Sequence, residues 1–95
     1  MLQDKITVVT GAGSGIGRSL AIRFAEKGAR AVVCTDLNAD NAAETAEMIG
    51  KAGTSAALDV GDEAAIEALV AETETTIGGI DIFVSNAGYG QSGGL

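Results

Sequence analysis

The feature that most constrains this chain is a run of β-branched and apolar residues that breaks into alternate glycines. Ile6, Thr7, Val8, Val9 and Thr10 run directly into Gly11, Gly13, Gly15 and Gly17. The run has the length and composition of a strand covered on both faces of a parallel sheet. The glycines let the backbone turn sharply and come close to another object with no Cβ in the way. Helical periodicity starts at Ile16. Strand, glycine turn and helix together aim backbone N–H groups and the positive end of a helix dipole at an anion, most often a phosphate.

The spacing refines that reading. The pattern G-x-G-x-x-G is not met, because Ile16 stands three places beyond Gly13 and Arg18 three beyond Gly15. The pattern that is met is T-G-x-x-x-G-x-G, on Thr10, Gly11, Gly15 and Gly17. An acidic residue, Asp36, closes the next apolar run 19 positions past Gly17, near the roughly 20 expected of a carboxylate that holds a ribose 2′-hydroxyl. Dinucleotide binding follows as the expectation. The competing reading of Asp36 is a turn residue or helix cap.

The rest of the chain alternates strand and helix. Ile16, Leu20, Ala21, Phe24 and Ala25 form one apolar helical face opposite Arg18, Arg23 and Glu26, and Gly28 supplies the stop. Ala31 to Thr35 is a second buried strand. Asn38 or Asp40 caps a helix that extends to about Ala52 and ends at Gly53, with Ala42, Ala43, Ala46 and Ile49 on its apolar side. Ser55 to Leu58 makes a third strand. Asp62, Glu63 and Glu67 gather at the start of a third helix, whose stripe is Ile66, Leu69, Val70, Thr73 and Ile77. Gly78 and Gly79 stop it, and Asp81 to Ser85 is the fourth strand. This alternation predicts an α/β fold with a parallel, doubly wound sheet.

Charge and composition exclude other classes. A net charge of −7, with six scattered Lys and Arg, argues against nucleic acid or an anionic membrane surface as partner. The lone Cys34 sits in a strand-like run and is expected to be a buried thiol; with no internal disulfide it fits a cytoplasmic setting. No metal site is expected, since histidine is absent and the acids are dispersed over helix faces.

TGAGSGIG, Asp36, Asp59-Val60 and Asn86-Ala87-Gly88 together resemble the N-terminal part of a short-chain dehydrogenase/reductase. The resemblance runs along the whole chain, so residues 1–95 are expected to form an incomplete domain, the NAD-binding half. By analogy with the Rossmann arrangement the strand order is 3-2-1-4, truncated after the fourth strand. The crevice between strands 1 and 4 should then hold the ligand. The resemblance implies that Gly11, Gly13, Ser14, Gly15, Ile16 and Gly17 face the cofactor. It implies that Asp59 accepts from the adenine amino group, that Val60 meets a ring nitrogen, and that Asn86, Ala87 and Gly88 let the backbone approach the ribose. Ser85 departs from the family pattern, standing where a first Asn is usual. A helix-start turn is the competing reading of Asp59, with the cofactor role preferred.

Asp36 favours NAD over NADP, because a 2′-phosphate there would place like charges within a few ångströms. In the resembling family, enzymes that use NADP often carry a basic residue at the places held here by Ser14 and Leu37. Arg18 falls after the motif and reads as solvent-facing.

No catalytic residue is expected in these 95 positions. The family's chemistry uses a tyrosine with a lysine four places later, together with a serine and an asparagine. The only tyrosine, Tyr89, is followed four places on by Gly93. A phenol near pKa 10 needs such a partner to exchange protons near neutrality. Leu95 therefore reads as a cut, which would leave strand 4 an unpaired edge. Three functions remain open at this point. The first is the cofactor-binding part of an oxidoreductase acting on a small carbonyl or alcohol substrate, homo-oligomeric when complete. The second is a noncatalytic nucleotide-binding or partner-dependent interaction module. The third is an α/β protein that binds another adenosine-bearing ligand, since fold does not fix function.

Overall fold

In the computed structural model, which describes residues 2–86, strand β1 (Ile6–Val9) lies inside a four-stranded sheet. Its neighbours are β2 (Ala31–Asp36) and β4 (Ile82–Val84), and β3 (Gly53–Ala57) pairs with the far side of β2. Every pairing is parallel and the order is β3-β2-β1-β4, the expected doubly wound arrangement. The chain visits β2 and β3 before returning to the other side of β1.

The apolar run of β1 is continuous because both sheet faces are covered. Val9, Val32 and Cys34 pack with Ala21 of helix α1 (Gly15–Glu26), and Leu20, Phe24, Ala46 and Ile49 join that cluster. Ala46 and Ile49 belong to helix α2 (Ala39–Ile49). Val8, Val33 and Leu58 face the opposite way, toward Leu69, Ile66 and Ala65 of helix α3 (Glu63–Thr76). Consecutive residues of one strand thus serve opposite layers. The predicted stripe of α3 holds: Leu69 and Thr73 are buried, and Ile66, Val70 and Ile77 are half-buried.

Helix termini follow local chemistry. Asn38 caps α2 by accepting from Asn41 N at 3.0 Å, and Asp62 caps α3 by accepting from Ala65 N at 3.1 Å. Past the end of α1, Gly28 takes φ of 94°, the left-handed conformation expected of a helix stop.

Three expectations are corrected. Helix α2 ends at Ile49, and the stop is Gly50, with φ of 91°, in place of Gly53. Gly53 instead opens β3, whose pairing with Val32 begins there, so the strand runs Gly53–Ala57 and not Ser55 to Leu58. A Cβ at Gly53 would come within 2.6 Å of the Ala46 carbonyl oxygen, so its missing side chain is what lets β3 lie against α2. Finally, α1 begins at Gly15, and Ile16 is 77% exposed, outside the helix's buried face.

Candidate functional site

The carboxyl ends of all four strands open along one edge of the sheet, and the glycine turn lies there. Ala12 N donates to Thr35 O at 2.8 Å, and Gly13 N donates to Asp36 Oδ2 at 2.8 Å, which seats the turn on the end of β2. Asp36 Oδ1 accepts from Asn38 N at 3.0 Å. A carboxylate offers about four lone-pair sites, so Asp36 holds the turn and keeps acceptor capacity for a ligand hydroxyl.

The glycines of the turn have different tasks. A Cβ at Gly13 would meet Asp36 Oδ2 and Asn41 Cβ, each at 2.7 Å. At Gly17 it would overlap the Gly11 carbonyl oxygen and come within 2.7 Å of Asn86 Nδ2. Both positions are therefore closed by the protein itself. Gly15 differs: its φ is 56°, and a Cβ there would meet none of the described residues within 4 Å. The space above Gly15 lies at the start of α1, where Ser14 makes no side-chain cap and the first turn carries no acid. This open cradle, a helix N-terminus without a capping side chain, fits an anionic group such as a phosphate. Ile16, next to Gly15 in sequence, and Leu37, next to Asp36, are large apolar residues 77% and 74% exposed.

Thr10 fastens β4 to this edge. Its backbone N donates to Val84 O at 2.9 Å, and its hydroxyl accepts from Asn86 N at 2.8 Å. Asn86 sits beside Gly17, its Nδ2 2.7 Å from where a Cβ on that glycine would lie. Ala87 and Gly88, and with them Tyr89, lie outside the described residues.

Asp59 follows Leu58, whose N donates to Asp36 O at 2.9 Å just past the end of β3. Its side chain accepts from Gly61 N at 2.8 Å, the local turn that was the competing reading of this residue. Val60 is half-buried against the Val8–Leu69 cluster.

Residues that sequence patterns did not single out also build the site. Fully buried Thr45 donates its hydroxyl to Ala12 O at 2.7 Å, tying α2 to the glycine turn. The available signal was a polar residue at a position where the spacing of Ala42, Ala46 and Ile49 calls for an apolar one. Arg18 is a correction: it does not face solvent but is bonded to α2, through Thr45, Glu44 and Asn41. Cys34 is a buried strand residue, and burial pushes its thiol up to about 11.

Residues 5–95 match the model of the short chain dehydrogenase family. The chain belongs to that family. Similar proteins include an uncharacterized oxidoreductase of Thermotoga maritima, 43% identical over 98% of this chain and 37% of that one. A sorbitol dehydrogenase of Cereibacter sphaeroides is 44% identical over 90% of this chain and 33% of its own length. Among solved structures, a hydroxysteroid dehydrogenase from Escherichia coli superposes with a TM-score of 0.85 at 38% identity, covering 94% of this chain and 39% of that one. The chain thus spans between a third and two-fifths of the length of these relatives.

Proposed function

We propose that this chain is the nucleotide-binding portion of an NAD-dependent short-chain oxidoreductase acting on a small carbonyl or secondary-alcohol substrate. The observation that carries the reading is the juxtaposition at the sheet edge. The open cradle over Gly15 meets a phosphate, and Asp36, one bonded step away through Gly13, meets a ribose. Asp59, Val60 and Leu37 would border the adenine, and Asn86 the nicotinamide half. When bound, the dinucleotide supplies hydride transfer.

This chain's own residues orient the cofactor and discriminate between its forms. Asp36 accepts from ribose hydroxyls and repels a 2′-phosphate, and neither Ser14 nor Leu37 offers a compensating cation. The described residues hold no tyrosine, and no proton-transfer role is given to any of them. The test is titration of the full-length protein with NADH and with NADPH. Saturable NADH binding at least about tenfold tighter than NADPH, or about 1.4 kcal/mol, is the expected result. Equal affinities would remove the role given to Asp36, and no binding of either would remove the nucleotide reading.

A further inference from the structure

Arg18 lies one residue past the glycine turn, and three acceptors on α2 hold its guanidinium. Its Nε donates to Thr45 Oγ1 at 2.8 Å, while Nη2 donates to Glu44 Oε1 at 2.8 Å and to the Asn41 carbonyl at 3.3 Å. An exposed ion pair alone would be a weak restraint, and the Glu44 side chain is 57% exposed. The Thr45 hydroxyl, however, is fully buried and is itself fixed by donating to Ala12 O. The cation is therefore anchored on one side by a rigid neutral acceptor and neutralised on the other by Glu44.

The anchorage adjoins the nucleotide carboxylate. Asn41 Cβ and Asp36 Oδ2 each lie 2.7 Å from the point a Cβ on Gly13 would occupy, so they are at most twice that distance apart. Arg18 thus bonds the backbone of a residue that borders Asp36. A guanidinium placed there is the group that would pair with a ribose phosphate, in a bidentate geometry that carboxylates and phosphates share.

We propose that Glu44 is a specificity residue acting through Arg18. By occupying the guanidinium on α2, it denies a 2′-phosphate its nearest cation, and so reinforces the exclusion made by Asp36. This inference rests on the nucleotide reading above. Glu44 touches no part of the cradle; it is a positioning residue.

The experiment compares NADH and NADPH titrations of the full-length protein in four forms: the parent, Asp36→Ala, Asp36→Ala with Glu44→Gln, and that double variant with Arg18→Met. Adding Glu44→Gln should raise the preference for NADPH over NADH about fivefold beyond Asp36→Ala alone, with NADH affinity changed by less than about twofold. Adding Arg18→Met should remove the gain. An unchanged preference in the double variant, or a gain that survives Arg18→Met, overturns the proposal while leaving NADH binding by the parent intact. A parent that binds neither dinucleotide overturns the nucleotide reading and this inference with it.

Discussion

Alanine at Gly15 and alanine at Gly17 each add one methyl group within three residues of each other, and the geometry predicts different consequences. At Gly17 the new Cβ would overlap the Gly11 carbonyl and press on Asn86 Nδ2. Backbone and not a flexible side chain must yield, so the cost lies at the upper end of overpacking, about 3 kcal/mol. At Gly15 no atom is displaced, and the penalty is that of a left-handed conformation, φ 56°, for a residue with a Cβ. That is roughly 1–2 kcal/mol, offset by about 0.4–1 kcal/mol from the smaller entropy of the unfolded chain. A net loss of about 1 kcal/mol follows. The assay is urea unfolding of each full-length variant, with and without NADH at about a hundred times the parent's Kd, which should stabilise the parent by about 2.7 kcal/mol. Gly15→Ala should lose only about 1 kcal/mol in the absence of NADH and should also lose most of the ligand increment, because its methyl fills the cradle. Gly17→Ala should be the less stable of the two even without ligand. A Gly15→Ala protein that keeps the full NADH increment would refute the placement of a phosphate over Gly15.

Other perturbations read different parts of the same edge. Asp36→Ala should raise the affinity for NADPH relative to NADH at least about tenfold by titration. It should also cost roughly 1–3 kcal/mol in urea unfolding, since buried Gly13 N loses its acceptor. Asp81 Oδ2 accepts from Ile6 N at 2.8 Å, and Asp81 N donates to Ile6 O at 2.8 Å. Asp81→Ala should therefore speed hydrogen exchange of Ile6 N and of the β1–β4 ladder, and lower stability by about 1–2 kcal/mol, while Asp81→Asn, which retains an acceptor oxygen, loses less. The Cys34 thiol is raised from 9.0 to about 11 by burial. Below pH 9 it is protonated in both states and contributes nothing to the pH dependence; between pH 9 and 11 the unfolded thiol ionises first and stability falls. The loss should approach about 2–3 kcal/mol, and an alkaline unfolding series of Cys34→Ala should lack it.

How much of this was legible in the sequence depends on whether a signal was local. β1 and β2 were plain because parallel strands covered by α1 and α2 on one face and α3 on the other need uninterrupted apolar residues. The ends of α2 and β3 were not, because Gly50 and Gly53 are equally good helix stops as residues. Only the register of β3 on β2, with Val32 opposite Gly53, assigns one glycine to the turn and the other to close packing. Ile16 satisfied the apolar period of α1 yet points outward, since the glycine turn sets where the helix starts. Arg18 presented a charge, but its acceptors are Asn41, Glu44 and Thr45, on a helix that only folding brings alongside. Asp36 stood out by its separation from the glycines, and in the fold its carboxylate accepts from Gly13 N of that turn, a bond the spacing alone did not specify.

The glycine turn also explains why threonines cluster at this edge. A turn that leaves the ladder strands its own carbonyls and amides inside the protein, and each such group requires a partner. The Thr45 hydroxyl serves the Ala12 carbonyl, Thr35 bonds Val9 O at 3.2 Å, and Thr10 receives Asn86 N. Asp36 serves Gly13 N. No buried side-chain polar atom among the described residues lacks a partner. The network therefore satisfies the turn from below, up to Gly13, and stops at the cradle. Beyond that point the backbone enters α1 under Ser14, whose side chain caps nothing. On the proposed reading, a helix N-terminus so placed, on a turn held by buried bonds, would meet the phosphate without having to reorganise, and preorganisation of that kind is what favours binding.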